Sequence, residues 1–303
     1  MKIKFKVPVS QSSKSHPITT PKSIPKQTNV IQPNKKIICL IGFVEGKNWI
    51  LEKMADILKQ YEPEDMQIIY SKKPMKGDNC LNLFWPYRYY EDTVARSVSF
   101  HTHPEKIPAW NASAKGANHI ITMCDKYTKS LIKAGVPAEK ITKIIPGVDE
   151  DFTFDFVLFF PCDMKRHSIR KGETLWKQIS KIPGVRAICS DRTLTHAQVV
   201  SATKRADAIF ISSMEEGGPM TLIEALACGT PVIAPRDVGF CDEWTDVIIQ
   251  YDKGNFKSAK EAIDTLLIPK QKRAESVKEY TWKKWAEAHF AVFRKVFAEP
   301  DDK

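Results

Sequence analysis

The segment 210–235, FISSMEEGGPMTLIEALACGTPVIAP, holds the densest cluster of residues able to do chemistry. An apolar run ends in two serines and two glutamates, Gly217 and Gly218 allow a tight loop, and Pro219 stands where a first helical residue belongs. The amides of Met220 and Thr221 then lack intrahelical partners and open toward the loop, which makes an anion site suited to a phosphate. Glu216 sits in the loop and Glu224 in the helix, eight positions later, so both carboxylates can face one bound ligand. An ordinary amphipathic helix before a buried strand accounts for Ala225, Leu226 and Val232, but not for paired acids and glycines at a strand end.

Such a loop must be carried by a sheet. From residue 35 onward the chain alternates short apolar runs with helical patterns. Lys36 to Phe43 reads as a strand, and Trp49, Ile50, Lys53, Met54, Ile57, Leu58 and Tyr61 trace a helix face that Pro63 breaks. Further strands are expected at Gln67 to Tyr70, Leu81 to Phe84, Ser97 to His101 and His119 to Thr122. Asp125 is placed to cap a helix from Lys126 to Ala134, ended by Gly135. A strand then runs to Pro146, and the turn-rich sequence Pro146 to Asp151 marks a domain boundary. A second series follows, with strands at Phe154 to Phe160, Val185 to Cys189, Ala208 to Ser212, Pro231 to Pro235 and Val247 to Gln250. Its helices span Glu173 to Lys181, Thr195 to Arg205 and Pro219 to Cys228. This alternation predicts two α/β domains, each a doubly wound, Rossmann-like parallel sheet, facing a central cleft. The divisions are a tail over 1–34, domains over 35–146 and 147–280, and a final helix over 281–303 that can cross back to the first domain.

Composition sets the outer bounds. The chain has 303 residues, 46 Lys and Arg against 36 Asp and Glu, and 43% hydrophobic residues. These values exclude collagen-like, wholly disordered and disulfide-scaffold classes. No apolar run approaches the roughly 18 to 20 residues of a membrane helix, so a soluble protein is expected. Eight lysines and no acid fall within residues 1–36, and they account for all but +2 of the formal charge of +10. With four prolines and no apolar period, residues 10–34 read as disordered. No secretory or transit signal is recognisable, which points to the cytoplasm. The basic tail suits nucleic acid or an anionic membrane surface, or serves only solubility. Seven cysteines without a C-x-x-C pair read as reduced core residues of an intracellular protein.

Glu216, GGPMTLI, Glu224 and ALACGTPV together resemble the nucleotide-sugar motif of the retaining glycosyltransferases of family 4, "glycosyl transferases group 1", which have the GT-B fold. The resemblance implies that Glu224 bonds the ribose hydroxyls, while Glu216 and the Gly217 and Gly218 amides hold donor sugar and phosphates. It also implies an arginine and a lysine five residues later that clamp the diphosphate. Their counterparts in KRHSIRKGETLW are Arg166 and Lys171, and Arg170 can substitute for Arg166, since Lys165 replaces the family's preceding glycine. KITKIIPGVDEDF is similar to the family's linker strand and YTWKKWAEAHFAVFRKVF to its closing helices, so the resemblance spans roughly residues 115–297. SFHTHPE is similar to the strand end that places a histidine near the donor sugar, with His103 the first choice and His101 the second. Gly42 and Gly46 can line the cleft or simply turn the chain.

The first domain is short for this family. The implied activity is metal-independent transfer of a sugar from a nucleoside-diphosphate sugar to an acceptor hydroxyl, with retention and without a cofactor. Asp149 and Asp151 form a D-x-D, but at the hinge, where a metal site is not expected. Two alternatives stay open: a nucleic-acid acceptor such as a hydroxymethylated base, and a catalytically silent nucleotide-sugar binder or partner subunit. Base, sugar, acceptor and oligomeric state are not legible in the sequence.

Overall fold

The computed structural model describes residues 31–32, 34–41, 49–84, 96–101 and 115–299. The chain divides into two compact units, Met1–Ile144 with Ala286–Lys303, and Ile145–Trp285. Each is built on its own parallel sheet with helices. The two parallel-sheet α/β domains read from the sequence are therefore present.

In the first unit, strands β1 (Lys36–Ile41), β2 (Met66–Ser71), β3 (Cys80–Phe84), β4 (Ser97–His101), β5 (His119–Thr122) and β6 (Ile141–Lys143) lie in the order β2-β1-β3-β4-β5-β6. Ile37 to Ile41 are fully buried, as a central strand of a parallel sheet requires. Helix α1 (Trp49–Gln60) buries Leu51, Met54, Ala55 and Leu58, an i, i+3, i+4, i+7 stripe. The expected stripe is displaced by one position, because Ile50 faces solvent and Leu51 faces the core. Helix α2 (Asp125–Lys133) begins one residue earlier than expected. Extended Cys124 holds the cap position, and the Asp125 carboxylate pairs with Lys143 Nζ at 2.7 Å instead of capping.

His119 is buried, with Nε2 2.8 Å from Thr142 Oγ1. Burial, reinforced by Lys295 and Lys140, pushes its pKa down to about 4. The last helix, α7 (Trp282–Ala298), contributes Phe297 beneath the Lys36 ammonium and Arg294 to an ion pair with Asp65 at 2.9 Å.

In the second unit, β7 (Phe156–Phe160), β8 (Val185–Cys189), β9 (Ala208–Phe210), β10 (Val232–Pro235) and β11 (Ile249–Tyr251) lie in the order β11-β10-β9-β7-β8. The core joins Phe156, Leu158, Phe159 and Phe160 to Phe210, Tyr251 and the buried faces of the helices. Tyr251 stacks on Phe210 and donates its hydroxyl to Ile211 O at 2.7 Å, so a buried phenol is satisfied. Helices α3 (Glu173–Ile179), α4 (His196–Arg205) and α5 (Met220–Ala227) occupy the expected places with ends drawn in by a residue or two. Thr195 is the cap of α4, not its first residue, in a reciprocal capping box with Gln198. Pro219 likewise precedes α5, because its ψ of 100° is extended.

Helix α6 (Phe256–Glu275) was not expected. Pro269 lies inside it and interrupts the pattern, yet Ala259, Ala262, Ile263 and Leu267 bury a continuous stripe. Beyond the proline, Lys270 Nζ reaches the Asp207 carboxylate at 2.7 Å and the Asp155 carbonyl. At the hinge, Asp149 accepts a hydrogen bond from Trp282 Nε1 at 2.7 Å. Among the described residues, no helix is long and apolar enough to cross a membrane.

Candidate active site at the carboxyl ends of β7 and β9

Strand β7 has β8 on one side and β9 on the other. The connections leaving β7 and β9 therefore part in opposite directions, and the gap between them is where open α/β sheets bind ligands. The β7–α3 loop brings Arg170 and Lys171 to this point, and the β9–α5 loop brings Ser212, Ser213 and Glu216.

Glu216 is the centre of the arrangement. Its Oε2 accepts from Arg170 Nη1 at 2.8 Å, and its Oε1 accepts from Ser213 Oγ at 2.9 Å and from Lys171 Nζ. The Glu216 side chain is 10% exposed, that of Lys171 16% and that of Arg170 41%, so the carboxylate and the ammonium are largely sheltered while the guanidinium reaches solvent. Burial pushes the Glu216 pKa upward, but bonds from Lys171 and Ser213 and the charges of Lys171 and Arg170 outweigh it, leaving the carboxyl below its usual range. Glu216 is thus an anion held by two cations and a hydroxyl.

Backbone contacts lock the two loops together. Ser212 Oγ donates to Lys171 O at 2.6 Å, and Met214 N donates to Arg170 O at 2.7 Å. Gly172 makes this approach possible: its φ is +70°, and a Cβ there would lie 2.9 Å from the Ser212 carbonyl carbon and nearer still to its oxygen. A second close approach closes the other side. The Phe240 ring lies where a side chain on residue 218 would have to go, which accounts for Gly218, whereas Gly217 is exposed and a Cβ there would meet nothing within 4 Å.

The helix α5 begins directly after this loop. Met220 is exposed, Thr221 is half-buried with Oγ1 lacking a protein partner, and Leu222 N is satisfied by Pro219 O. The Met220 and Thr221 amides thus stand at the open end of the helix, the geometry that favours an anion. Glu224 lies one turn further along, with its side chain exposed.

Of the expected site residues, the structure brings Glu216, Lys171 and Arg170 into one cluster. Arg166 is exposed on the same loop, with its amide bonded to Asp163 Oδ1 at 3.1 Å, and the guanidinium that reaches Glu216 is that of Arg170. Gly42, Gly46 and His103 lie outside the described residues, and His101 is the last residue of β4. Two contributors escaped the sequence reading. Ser213 was visible as a serine at a strand end, but its bond to Glu216 needs the loop to turn back on itself. Phe240 follows β10 in a loop with no periodic signal, marked only by Gly239, whose φ is +56°.

Residues 192–284 match the family model of glycosyl transferases group 1. The glycosyl transferases group 1 match contains Glu216, Gly217, Gly218, Met220, Thr221 and Glu224, and it begins after Arg166, Arg170 and Lys171. A comparison with curated proteins finds no match. Among solved structures, the chain is similar to HepE from Anabaena in complex with UDP and glucose, with 12% identity and a TM-score of 0.36, covering 86% of this chain and 100% of that one. It is also similar to sucrose-phosphate synthase from Thermosynechococcus elongatus, with 13% identity and a TM-score of 0.35 over 87% and 100% of the two chains.

Proposed function

We propose that the protein is a glycosyltransferase that moves a sugar from a nucleoside-diphosphate sugar to an acceptor hydroxyl, with retention of configuration. The observation that carries this reading is the Glu216 cluster: the loop glutamate of the family-matched segment is held by Arg170 and Lys171 at the switch point of a parallel sheet.

Sugar–phosphate cleavage places new negative charge on the departing diphosphate, and fixed cations facing that oxygen stabilise the transition state more than the ground state. Lys171 and Arg170 supply those cations in this reading, with exposed Arg166 available further along the loop. They take the part a divalent ion plays elsewhere, which makes the reaction metal-independent. The Met220 and Thr221 amides and the Gly217–Gly218 backbone hold the phosphates and sugar hydroxyls, and Glu224 bonds the ribose. Glu216 orients the donor sugar through its carboxylate. His103 accepts the acceptor's proton or orients a sugar hydroxyl, and Gly42 lets the donor approach the backbone. The acceptor attacks on the face the diphosphate leaves, so no protein nucleophile is needed.

The test is thermal unfolding with UDP, GDP and ADP, on the wild type and on Glu224→Ala and Lys171→Ala. A nucleotide at about 100 times its dissociation constant adds roughly 2.7 kcal/mol, on the order of 5 to 10 °C for a chain of this size. One nucleotide is expected to raise Tm, and both substitutions to reduce the shift. No shift with any of the three would overturn the reading.

A further inference from the structure

A pair of thiols stands apart from the chemistry above. Cys162 lies two residues beyond β7, and Cys189 is the last residue of β8, the neighbouring parallel strand. Their sulfurs are 3.6 Å apart. Of the seven cysteines, Cys39, Cys80 and Cys241 are buried, whereas both members of this pair are partly accessible. Both pack at the margin of the second unit's core, in keeping with their apolar sequence context, and both are free thiols.

The backbone around them brings the two sulfurs into contact. Phe160 faces Cys189 across the ladder, and Cys162, two residues further on, is turned back by a hydrogen bond from its own N to Phe160 O at 2.9 Å. Pairing continues past the strand ends, where Asp191 N donates to Cys162 O at 2.9 Å and Ser190 Oγ donates to the same carbonyl at 3.1 Å. From 3.6 Å the sulfurs need to close by about 1.5 Å to reach bonding distance.

We propose that Cys162 and Cys189 form a redox-active dithiol, oxidised to an intramolecular disulfide by a small-molecule disulfide such as oxidised glutathione. One thiolate of the pair attacks a sulfur of the oxidant, forming a mixed disulfide and releasing one small thiolate, which takes up the proton of the other cysteine. That second cysteine's thiolate then attacks the protein sulfur of the mixed disulfide and expels the second small thiolate, which is protonated by solvent. The protein loses two electrons and two protons, and the oxidant becomes two thiols.

The two sulfurs share one hydrogen bond in which either can be the donor, so the pair releases its first proton as a unit. The disulfide would also act on the β7–α3 loop. Cys189 Sγ lies 3.4 Å from Asp191 Oδ1, the oxygen that accepts from Met164 N at 2.9 Å, and Lys171 is carried seven residues further along that loop.

The experiment equilibrates the full-length protein with oxidised and reduced glutathione at graded ratios. The mixture is quenched in acid and alkylated in denaturant, and the tryptic peptides are weighed without reduction. The expected product is one cross-link between Ile144–Lys165 and Ala187–Arg192. In Cys162→Ser and in Cys189→Ser, the remaining cysteine of the pair is expected to stop at the mixed disulfide. Full alkylation of both cysteines at every ratio, or cross-linking of either to another cysteine, would overturn the proposal.

Discussion

Replacing Gly172 by alanine probes the contact on which the candidate site depends, and Gly229 supplies the matching control. Both glycines lie in the second unit and adopt nearly the same left-handed backbone, with φ of +70° and +69°. Each alanine therefore meets the same conformational penalty, about 1 to 2 kcal/mol. The surroundings differ. A Cβ on residue 229 would meet nothing within 4 Å, where Gly229 ends α5 with Thr230 N on Ala225 O. A Cβ on residue 172 would sit 2.9 Å from the Ser212 carbonyl carbon, against a comfortable separation of about 3.5 to 4.0 Å. The two loops must then part by on the order of 1 Å, which breaks the bonds from Ser212 Oγ to Lys171 O and from Met214 N to Arg170 O. At about 1 kcal/mol for each bond, Gly172→Ala should cost about 3 to 4 kcal/mol and Gly229→Ala about 1 to 2. Urea titration followed by circular dichroism at 25 °C measures both, as shifts in midpoint at constant slope. The same displacement moves Arg170 and Lys171, and misplacement of about 1 Å costs roughly a hundredfold in a positioned reaction. Nucleotide binding should fail in Gly172→Ala and persist in Gly229→Ala. Equal destabilisation of the two, within about 0.5 kcal/mol, would refute the claim that the Ser212 approach holds the site together.

Three further outcomes follow from the charges and the backbone. His119 has a folded pKa of about 4 against an ordinary 6.5, so the unfolded chain binds more protons between those values and stability falls as pH drops from 6.5 toward 4. The loss is about 3 kcal/mol, and His119→Gln should flatten that limb of a stability-versus-pH curve while leaving stability above pH 7 little changed. Glu216 has the opposite sign: its folded pKa is depressed, so its contribution is present above the unfolded value and disappears as pH falls through the folded one. Glu216→Gln should remove this dependence and also lower stability at pH 7, because Lys171 then loses its counter-charge, as denaturant titrations at pH 7 and pH 4 can determine. Pro269 interrupts α6 without a backbone N–H, and Pro269→Ala should raise the urea midpoint by the equivalent of about 1 to 3 kcal/mol.

What the sequence disclosed and what it hid divide along physical lines. Period and composition report burial, so β1 and β7 were legible as apolar runs and α5 as a helix following a glycine loop. Helix ends were less legible, because caps depend on the ψ of single residues: Pro219 and Thr195 both stand one position outside the helices they open. Helix α6 was hidden by a local rule that its tertiary setting overrides. A proline argues against a helix, but Ala259, Ala262, Ile263 and Leu267 bury enough surface to carry the chain through it. The site shows the same division. Glu216 and Glu224 announced themselves by spacing within one segment, whereas Arg170 and Lys171 lie 46 and 45 positions from Glu216, and only the strand order makes them neighbours.

That order also brings to Glu216 one of the two arginines that the sequence left open. Lys171 and Arg170 are consecutive, yet both reach Glu216, because Gly172 turns left-handed and presses the preceding carbonyls against the β9–α5 loop. Met214 N on Arg170 O and Ser212 Oγ on Lys171 O fix the backbone of both residues, so the two side chains emerge together over the loop. Arg166 lies before that clamp and is held only by the Asp163 turn, which leaves its guanidinium in solvent. Arg170→Met should therefore weaken nucleoside-diphosphate binding by at least about tenfold, the equivalent of one charge-assisted bond. Arg166→Met should weaken it by less than about threefold, as a solvent-exposed charge would. Isothermal titration of both variants with the nucleotide that raises Tm in the wild type gives the comparison, and the reverse ranking would assign the diphosphate clamp to Arg166.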